Sequence, residues 1–243
     1  MSAILEVDAL SKRFGGVSAV DRCSFSVPSQ TITALIGPNG SGKTTAFNLI
    51  TGYLRADGGG VAFDGRRVAR PDPAYLYRRG LTRTFQQARV FRELTLIENL
   101  AVAIQQPWLA LFRRDVGRAD RASAMEVLGE FGLADLARHK ARELSFGQQK
   151  LLEFATVLMS RPKLVLLDEP TAGVNPVMVE TMEQRIRDLH GQGVTFLIVE
   201  HEMNLVMRLC NPVIVLDHGT KLAEGTPGDV QRNPVVLDAY LGA

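Results

Sequence analysis

The sequence predicts an α/β fold: a mostly parallel sheet with helices on its faces, preceded by a β-rich start and interrupted by a helical insertion. Three observations predict it. An apolar run, Thr31–Ile36, enters a glycine-rich turn and then a stretch of helical pattern, Lys43–Ile50. The last third alternates buried-strand runs with helical periodicity, in the order βαβαβ. The middle carries helix-capping signals and helical spacing instead of strand alternation.

Ile4–Leu10 reads as a strand, and Cys23, Phe25 and Val27 alternate with polar residues as in a half-buried strand. The Lys43–Ile50 helix closes at Gly52, and Val61-Ala62-Phe63 with Asp64-Gly65 reads as a strand entering a hairpin turn. Thr95 and Glu98 form a capping box, and Ala124, Val127, Leu128 and Phe131 recur at helical spacing. Gln105–Ala122, with Pro107 and Gly117, is expected to be an irregular connection; its apolar Trp108–Phe112 reads as loop packing or a contact patch. Leu164–Leu167 is a buried strand. Asn175 caps a helix that Pro176 opens, with Met182, Ile186 and Leu189 on its inner face. Val194–Val199 is a further strand, Met203–Leu209 a helix, and two last strands flank His218-Gly219.

Composition narrows the function. With 243 residues the chain can bury a substantial core as one domain with an insertion. Net charge is +2 and no basic stripe appears, which argues against nucleic acid as a partner. Arg113, Arg114, Arg118 and Arg121 flank acidic residues and read as a solvated helix face. Cys23 and Cys210 lack metal-ligand spacing and read as small buried residues. The start carries no signal-peptide pattern, and no apolar run is long enough to cross a bilayer, so a membrane role is expected to run through a partner.

Gly37-Pro38-Asn39-Gly40-Ser41-Gly42-Lys43-Thr44 fits the P-loop pattern at every fixed position and lies between a buried strand and a helix. Glycines let the backbone wrap closely around phosphates, and the amides at the helix start, through Thr45, face an anion. Lys43 is expected to bridge the β- and γ-phosphates and Thr44 to give its hydroxyl to Mg²⁺. Leu164–Leu167 ends in two carboxylates, Asp168 and Glu169, which strand alternation would aim in different directions. That split suits Asp168 to the metal and Glu169 to the attacking water as general base.

Leu144-Ser145-Phe146-Gly147-Gln148-Gln149 precedes another helix, and Ser145 and Gln148 have capping-box spacing. Such a helix start can also present amides and a hydroxyl to an anion. With the preceding motifs, this segment resembles the signature motif of ABC transporter nucleotide-binding subunits; Phe146 stands where that family usually has glycine. The resemblance implies a P-loop NTPase, RecA-like core with an N-terminal antiparallel β subdomain. The implied core spans 1–87 plus 162–243, with an inserted helical signature subdomain at 88–161. It also implies that Ser145, Gly147 and Gln148 complete the ATP site of a facing ATPase subunit, identical or paralogous. Phe14 stands where the family stacks an aromatic ring on adenine. Gln86, with Gln87 adjacent, resembles the glutamine that senses Mg²⁺ and water. His201 resembles the histidine that contacts the γ-phosphate.

Across nearly the whole chain, the resemblance is greatest to the ATPases of bacterial branched-chain amino acid importers. It is carried by Arg83-Thr84-Phe85-Gln86, Ala172-Gly173-Val174-Asn175-Pro176, Glu200–Met207 and the tail from Asn233-Pro234 to Gly242. This likeness implies an ATPase at the cytoplasmic face of the plasma membrane, two membrane-spanning permease subunits and a solute-binding protein. Importers of amides or urea use similar ATPases, and soluble ABC ATPases are the alternative. A GTPase would carry an Asn-Lys-x-Asp segment, which is missing. Glu169 with the Ser145–Gln149 segment argues against a kinase.

Overall fold

The computed structural model describes residues 2–104 and 117–241. Trp108–Phe112, Arg113 and Arg114 lie outside the described residues. Two sheets organise the chain. The first has the order β2-β1-β4-β5, from β1 (Ala3–Phe14), β2 (Val17–Pro28), β4 (Gly58–Phe63) and β5 (Arg66–Val68), all pairs antiparallel. The second has the order β10-β9-β3-β8-β7-β6. Its strands are β3 (Ile32–Ile36), β6 (Leu81–Arg83), β7 (Leu164–Asp168), β8 (Thr195–Val199), β9 (Val213–Asp217) and β10 (Thr220–Gly225). Its pairs are parallel except β9 with β10.

The inner strands β3, β7, β8 and β9 are buried on both faces, which explains why they read as apolar runs. Successive residues of β7 enter different cores. Leu164 and Leu166 pack with the first sheet and α1 (Lys43–Ile50), while Val165 and Leu167 pack with the helices opposite. Those helices are α3 (Leu96–Val102), α4 (Arg118–Glu130), α5 (Phe146–Leu158), α6 (Pro176–Gly191) and α7 (Met203–Leu209); α2 (Pro73–Arg78) comes before them in the chain, and α8 (Pro227–Arg232) and α9 (Pro234–Leu241) end it. The helices α3, α4 and α5 all fall between β6 and β7. Both cysteines are buried and unpaired, and burial pushes their thiols up to about 11 and about 12.

Several expectations hold to the residue: α1 spans Lys43–Ile50 and α7 spans Met203–Leu209. The Thr95/Glu98 and Ser145/Gln148 capping boxes are both formed, and Asn175 caps α6 through the amide of Met178. One expectation needs correction. The irregular connection does not reach Ala122, because α4 begins at Arg118 with Asp120 in its first turn, where a carboxylate complements the exposed amides. Pattern reading passed over α2, β6, α8 and α9, which are short or lack alternation.

Candidate active site

The second sheet delivers four segments to one edge. Gly37 follows β3, Gln86 lies just beyond β6, Glu169 follows β7 and His201 lies just beyond β8. The carboxyl ends of parallel strands form the usual ligand rim of such sheets.

The loop after β3 is shaped by backbone. Gly37 has φ 150°, and a Cβ there would collide with the carbonyl of Leu216 on β9, so glycine is required. The β9–β10 turn braces the loop from behind, the Gly219 amide donating to the Ser41 carbonyl at 3.0 Å. Gly42 caps α1 with no side-chain bond, so the first-turn amides of Lys43, Thr44 and Thr45 have no intrahelical acceptor. Pro38, Asn39 and Gly40 complete the curve, with Asn39, Gly40 and Thr44 exposed. The buried Lys43 ammonium donates to Gly37 O (2.8 Å), Pro38 O (2.9 Å) and Ser41 Oγ (3.2 Å). All three of its donors are engaged by its own loop. Burial lowers its pKa, and the carboxylates of Glu169 and Asp168 oppose that shift.

Asp168 and Glu169 do point apart, but the pleat of the strand is not the cause. The strand ends at Asp168, and Glu169 sits in a left-handed turn at φ 48°. A non-glycine residue in that region costs about 1–3 kcal/mol and persists only where its surroundings over-determine it. Here the backbone is held on both sides: the Glu169 amide donates to Val199 O at 2.9 Å, and Lys150 Nζ donates to the Glu169 carbonyl at 2.6 Å. The carboxylate is held separately, Gln86 Nε2 donating to Oε2 at 2.8 Å and His201 Nε2 bonding Oε1 at 2.9 Å. Gln87 is also exposed, but among the described residues it is Gln86 whose side chain bonds Glu169.

Asp168 is only 2% exposed, so it is no solvated strand end. Its Oδ2 accepts from Arg83 Nη2 at 2.7 Å in a pair buried on both sides, and Oδ1 is buried without a hydrogen-bond partner. Burial raises its pKa, and the Arg83 guanidinium opposes the rise. The orphaned Oδ1 is the atom that an ordered water or a metal's water shell would satisfy. Among the described residues no cluster of three or more His, Cys, Asp or Glu side chains suits a metal. A cation here would therefore depend on the Thr44 hydroxyl, Gln86, Asp168 and oxygens from outside the chain. That donor set fits Mg²⁺, which takes few protein ligands and keeps phosphate and water.

Ser145 is exposed at the tip of α5. Its Oγ accepts from the Gln148 amide, and Gln148 Oε1 accepts from the Ser145 amide at 2.9 Å. Gly147 is buried, and a Cβ there would lie 2.7 Å from Met178 Sδ, so a larger residue would have to displace the flexible Met178 side chain of α6. Among the described residues no hydrogen bond joins Ser145, Gly147 or Gln148 to the loop 37–45. Phe14 is 48% exposed, so its ring lies outside both cores, and Lys12 Nζ lies 5.7 Å from its ring centre.

Sequence reasoning missed four supporting residues. Arg83 neutralises Asp168, and Lys150 holds the Glu169 carbonyl. Glu200 ties the turn after β7 to that after β8, accepting from the Thr171 amide and hydroxyl and from the His201 amide. Glu153 accepts from the amides of Phe85 and Arg89. Arg83 and Glu200 lay within segments that carried the resemblance, without a role; for Lys150 and Glu153 the sequence signal was charge within the helix that also carries Leu151, Leu152 and Phe154.

The ABC transporter family profile matches residues 20–172, and that of the branched-chain amino acid ATP-binding cassette transporter matches residues 220–243. The chain is 40% identical to the high-affinity branched-chain amino acid transport ATP-binding protein BraF of Pseudomonas aeruginosa, with 98% of each chain covered. It superposes on an ATP-binding cassette of an ABC transporter in its ADP conformation with a TM-score of 0.87 at 36% identity, covering all of both chains. A dimeric ATP-binding cassette in a post-hydrolysis state with ADP and Pi matches at a TM-score of 0.80 and 25% identity, over 92% of this chain and 98% of that one. A loop built for phosphates, a positioned carboxylate beyond β7 and these full-length likenesses lead to one conclusion: this chain belongs to the ABC transporter family, as a nucleotide-binding ATPase subunit.

Proposed function

We propose that the chain hydrolyses ATP to drive import of branched-chain amino acids through partner membrane subunits. The observation that carries the chemistry is Glu169, gripped by Gln86 and His201 beside the phosphate loop. Its solute is inferred from the BraF likeness and the 220–243 match. Among the described residues no helix is long and apolar enough to cross a membrane, so transport requires other chains.

In this reading the amides of residues 39–45 cradle the phosphates, and Lys43 exchanges its own-loop carbonyls for phosphoryl oxygens. Phe14 stacks on the adenine. Thr44, Asp168 and Gln86 would hold Mg²⁺, which would neutralise phosphate charge in the site. Each Glu169 oxygen already accepts one hydrogen bond and keeps a free lone pair. Glu169 takes a proton from water as the water oxygen bonds to the γ-phosphorus and the bond to the ADP oxygen breaks. His201 and Gln86 hold the carboxylate in place, and His201 also reaches the γ-phosphate when nucleotide is present.

Ser145 and Gly147 serve the ATP of a facing ATPase subunit in a two-fold or pseudo-two-fold pair. Residues 88–161 move as the helical unit that carries this tip, at the cytoplasmic face of the membrane. The partners are two permease subunits and, through them, a solute-binding protein.

The test is reconstitution of the chain with its co-purifying membrane proteins in liposomes, measuring uptake of labelled leucine, isoleucine, valine and urea alongside phosphate release. ATP-dependent uptake of the three branched amino acids is the expected result. Uptake of urea alone would overturn the solute, and turnover with no membrane partner co-purifying would overturn the transporter role.

A further inference from the structure

Lys150 and Glu153 are three residues apart on α5 and so share one helix face. Both are almost fully buried, at 3% and 5% exposure. Burying a lysine and a glutamate is costly unless each is bonded, and leucine would fill such positions at no polar cost. Their bonds go to two different segments. Lys150 holds the carbonyl of Glu169, and Glu153 Oε1 accepts from the amides of Phe85 at 3.2 Å and Arg89 at 3.1 Å.

Those two amides bracket Gln86-Gln87-Ala88. The stretch from Thr84 to Val90 forms neither helix nor strand, so few local bonds set its path. At its start the Thr84 amide donates to Leu166 O of β7 at 2.9 Å, which ties it to the sheet. Beyond that point Glu153 supplies the backbone anchors; the Phe85 ring packs edge-on to Tyr53 at 5.2 Å, and the Arg89 guanidinium lies 3.6 Å from the centre of the Phe85 ring, closing the segment on itself. Gln86, in the middle of the clamped segment, is the residue that reaches Glu169. One helix face therefore fixes both partners of the Gln86–Glu169 hydrogen bond by their backbones. The same helix carries Ser145 at its tip.

We propose that Glu153 is a positioning residue for ATP hydrolysis: it clamps the Gln86 segment to α5, so that the placement of Gln86 on Glu169 follows the position of the helix whose tip meets the facing subunit's nucleotide. The proposal rests on the reading of Glu169 as the base. It makes capture of nucleotide at the tip and assembly of the hydrolytic site one mechanical event.

The experiment compares Glu153→Leu, Glu153→Asp and Glu153→Gln in the full chain, with Glu169→Gln alongside. Glutamine keeps the acceptor oxygen without the charge. Leucine removes the acceptor, and aspartate keeps the charge but shortens the reach by a methylene. Glu153→Leu and Glu153→Asp are expected to lower kcat about 10- to 100-fold, the scale of a misplaced reacting group, with the KM for ATP changed less than about 2-fold. Glu153→Gln is expected to stay within about 3-fold of the parent, because a hydrogen-bond acceptor remains. Amide exchange at 85–89 should quicken in the Leu and Asp variants and match the parent in the Gln variant. A merely structural role would not produce this split between kcat and KM together with rescue by glutamine.

Parental kcat in both Leu and Asp variants, or a Gln variant as slow as Leu, overturns the clamp. Should Glu153→Leu fail to fold, the Asp and Gln variants decide alone. Parental turnover by Glu169→Gln would instead sink the base assignment, while exchange at 85–89 still reads the clamp independently.

Discussion

The phosphate loop and the Glu169 cluster sit on the same sheet edge but are built in opposite ways. The loop is nine consecutive residues whose backbone, steered by Gly37 and capped by Gly42, forms the site. The Glu169 cluster is assembled from side chains on four segments, with Gln86 and Glu169 separated by 83 residues and Glu169 and His201 by 32. A backbone site tolerates changes of side chain but not of shape. A side-chain site tolerates small shifts of backbone but not the loss of one group. Damage to the loop should therefore appear first in binding and folding, and damage to the cluster in turnover.

The largest expected effect is on the cluster. Glu169→Gln should slow phosphate release by about 10²- to 10⁴-fold while ATP still binds, which filter binding would register. Parental turnover would erase the distinction between the two regions. Next comes the buried ion pair beneath the cluster. Arg83→Leu leaves Asp168 charged, buried and unpaired, and should cost about 3–5 kcal/mol in chemical denaturation. The loss should be greatest at high pH, because protonating Asp168 at low pH removes the stranded charge. Gly37→Ala forces a methyl onto the Leu216 carbonyl and should cost about 1–3 kcal/mol, with weakened nucleotide binding. Unchanged ATP affinity in that variant would show that the loop is not held by shape.

A smaller effect sharpens the link between the regions. Burial pushes the Glu153 carboxyl up to about 7, against the opposing pull of the Arg89 and Phe85 amides, Lys150 and Arg89. Its folded value lies above its unfolded one, so the folded chain holds the extra proton between them. This group's contribution is complete at low pH and is lost as pH rises toward about 7. Glu153→Gln lacks that loss. Its stability relative to the parent should improve by about 1–3 kcal/mol between pH 5 and pH 8 in thermal melts. No improvement with pH would mean that Glu153 stays charged throughout.

The loop, α1, the three capping motifs and the unbroken apolar strands were legible in the sequence. Each depends on residues within a few positions of one another: an N-cap and the amide three residues on, or a strand's own apolar run. The pair Asp168-Glu169 was legible as chemistry but not as geometry. Alternation along a strand gave the right outcome for the wrong reason, because Glu169 leaves the strand in a left-handed turn whose backbone is held by Val199 and Lys150, from distant parts of the chain.

What the sequence determined by itself was the class of fold, the glycine-shaped loop that enters α1 and the helix caps, since short-range sterics and hydrogen bonding decide these locally. Tertiary structure alone decided that Arg83 neutralises Asp168, that Glu200 joins two turns, that Gly147 faces Met178, and that Lys150 and Glu153 hold the Glu169 neighbourhood from one helix. These contacts join residues far apart in the chain. A buried charge in a sequence announces that it needs a partner, and only the packed fold says which one.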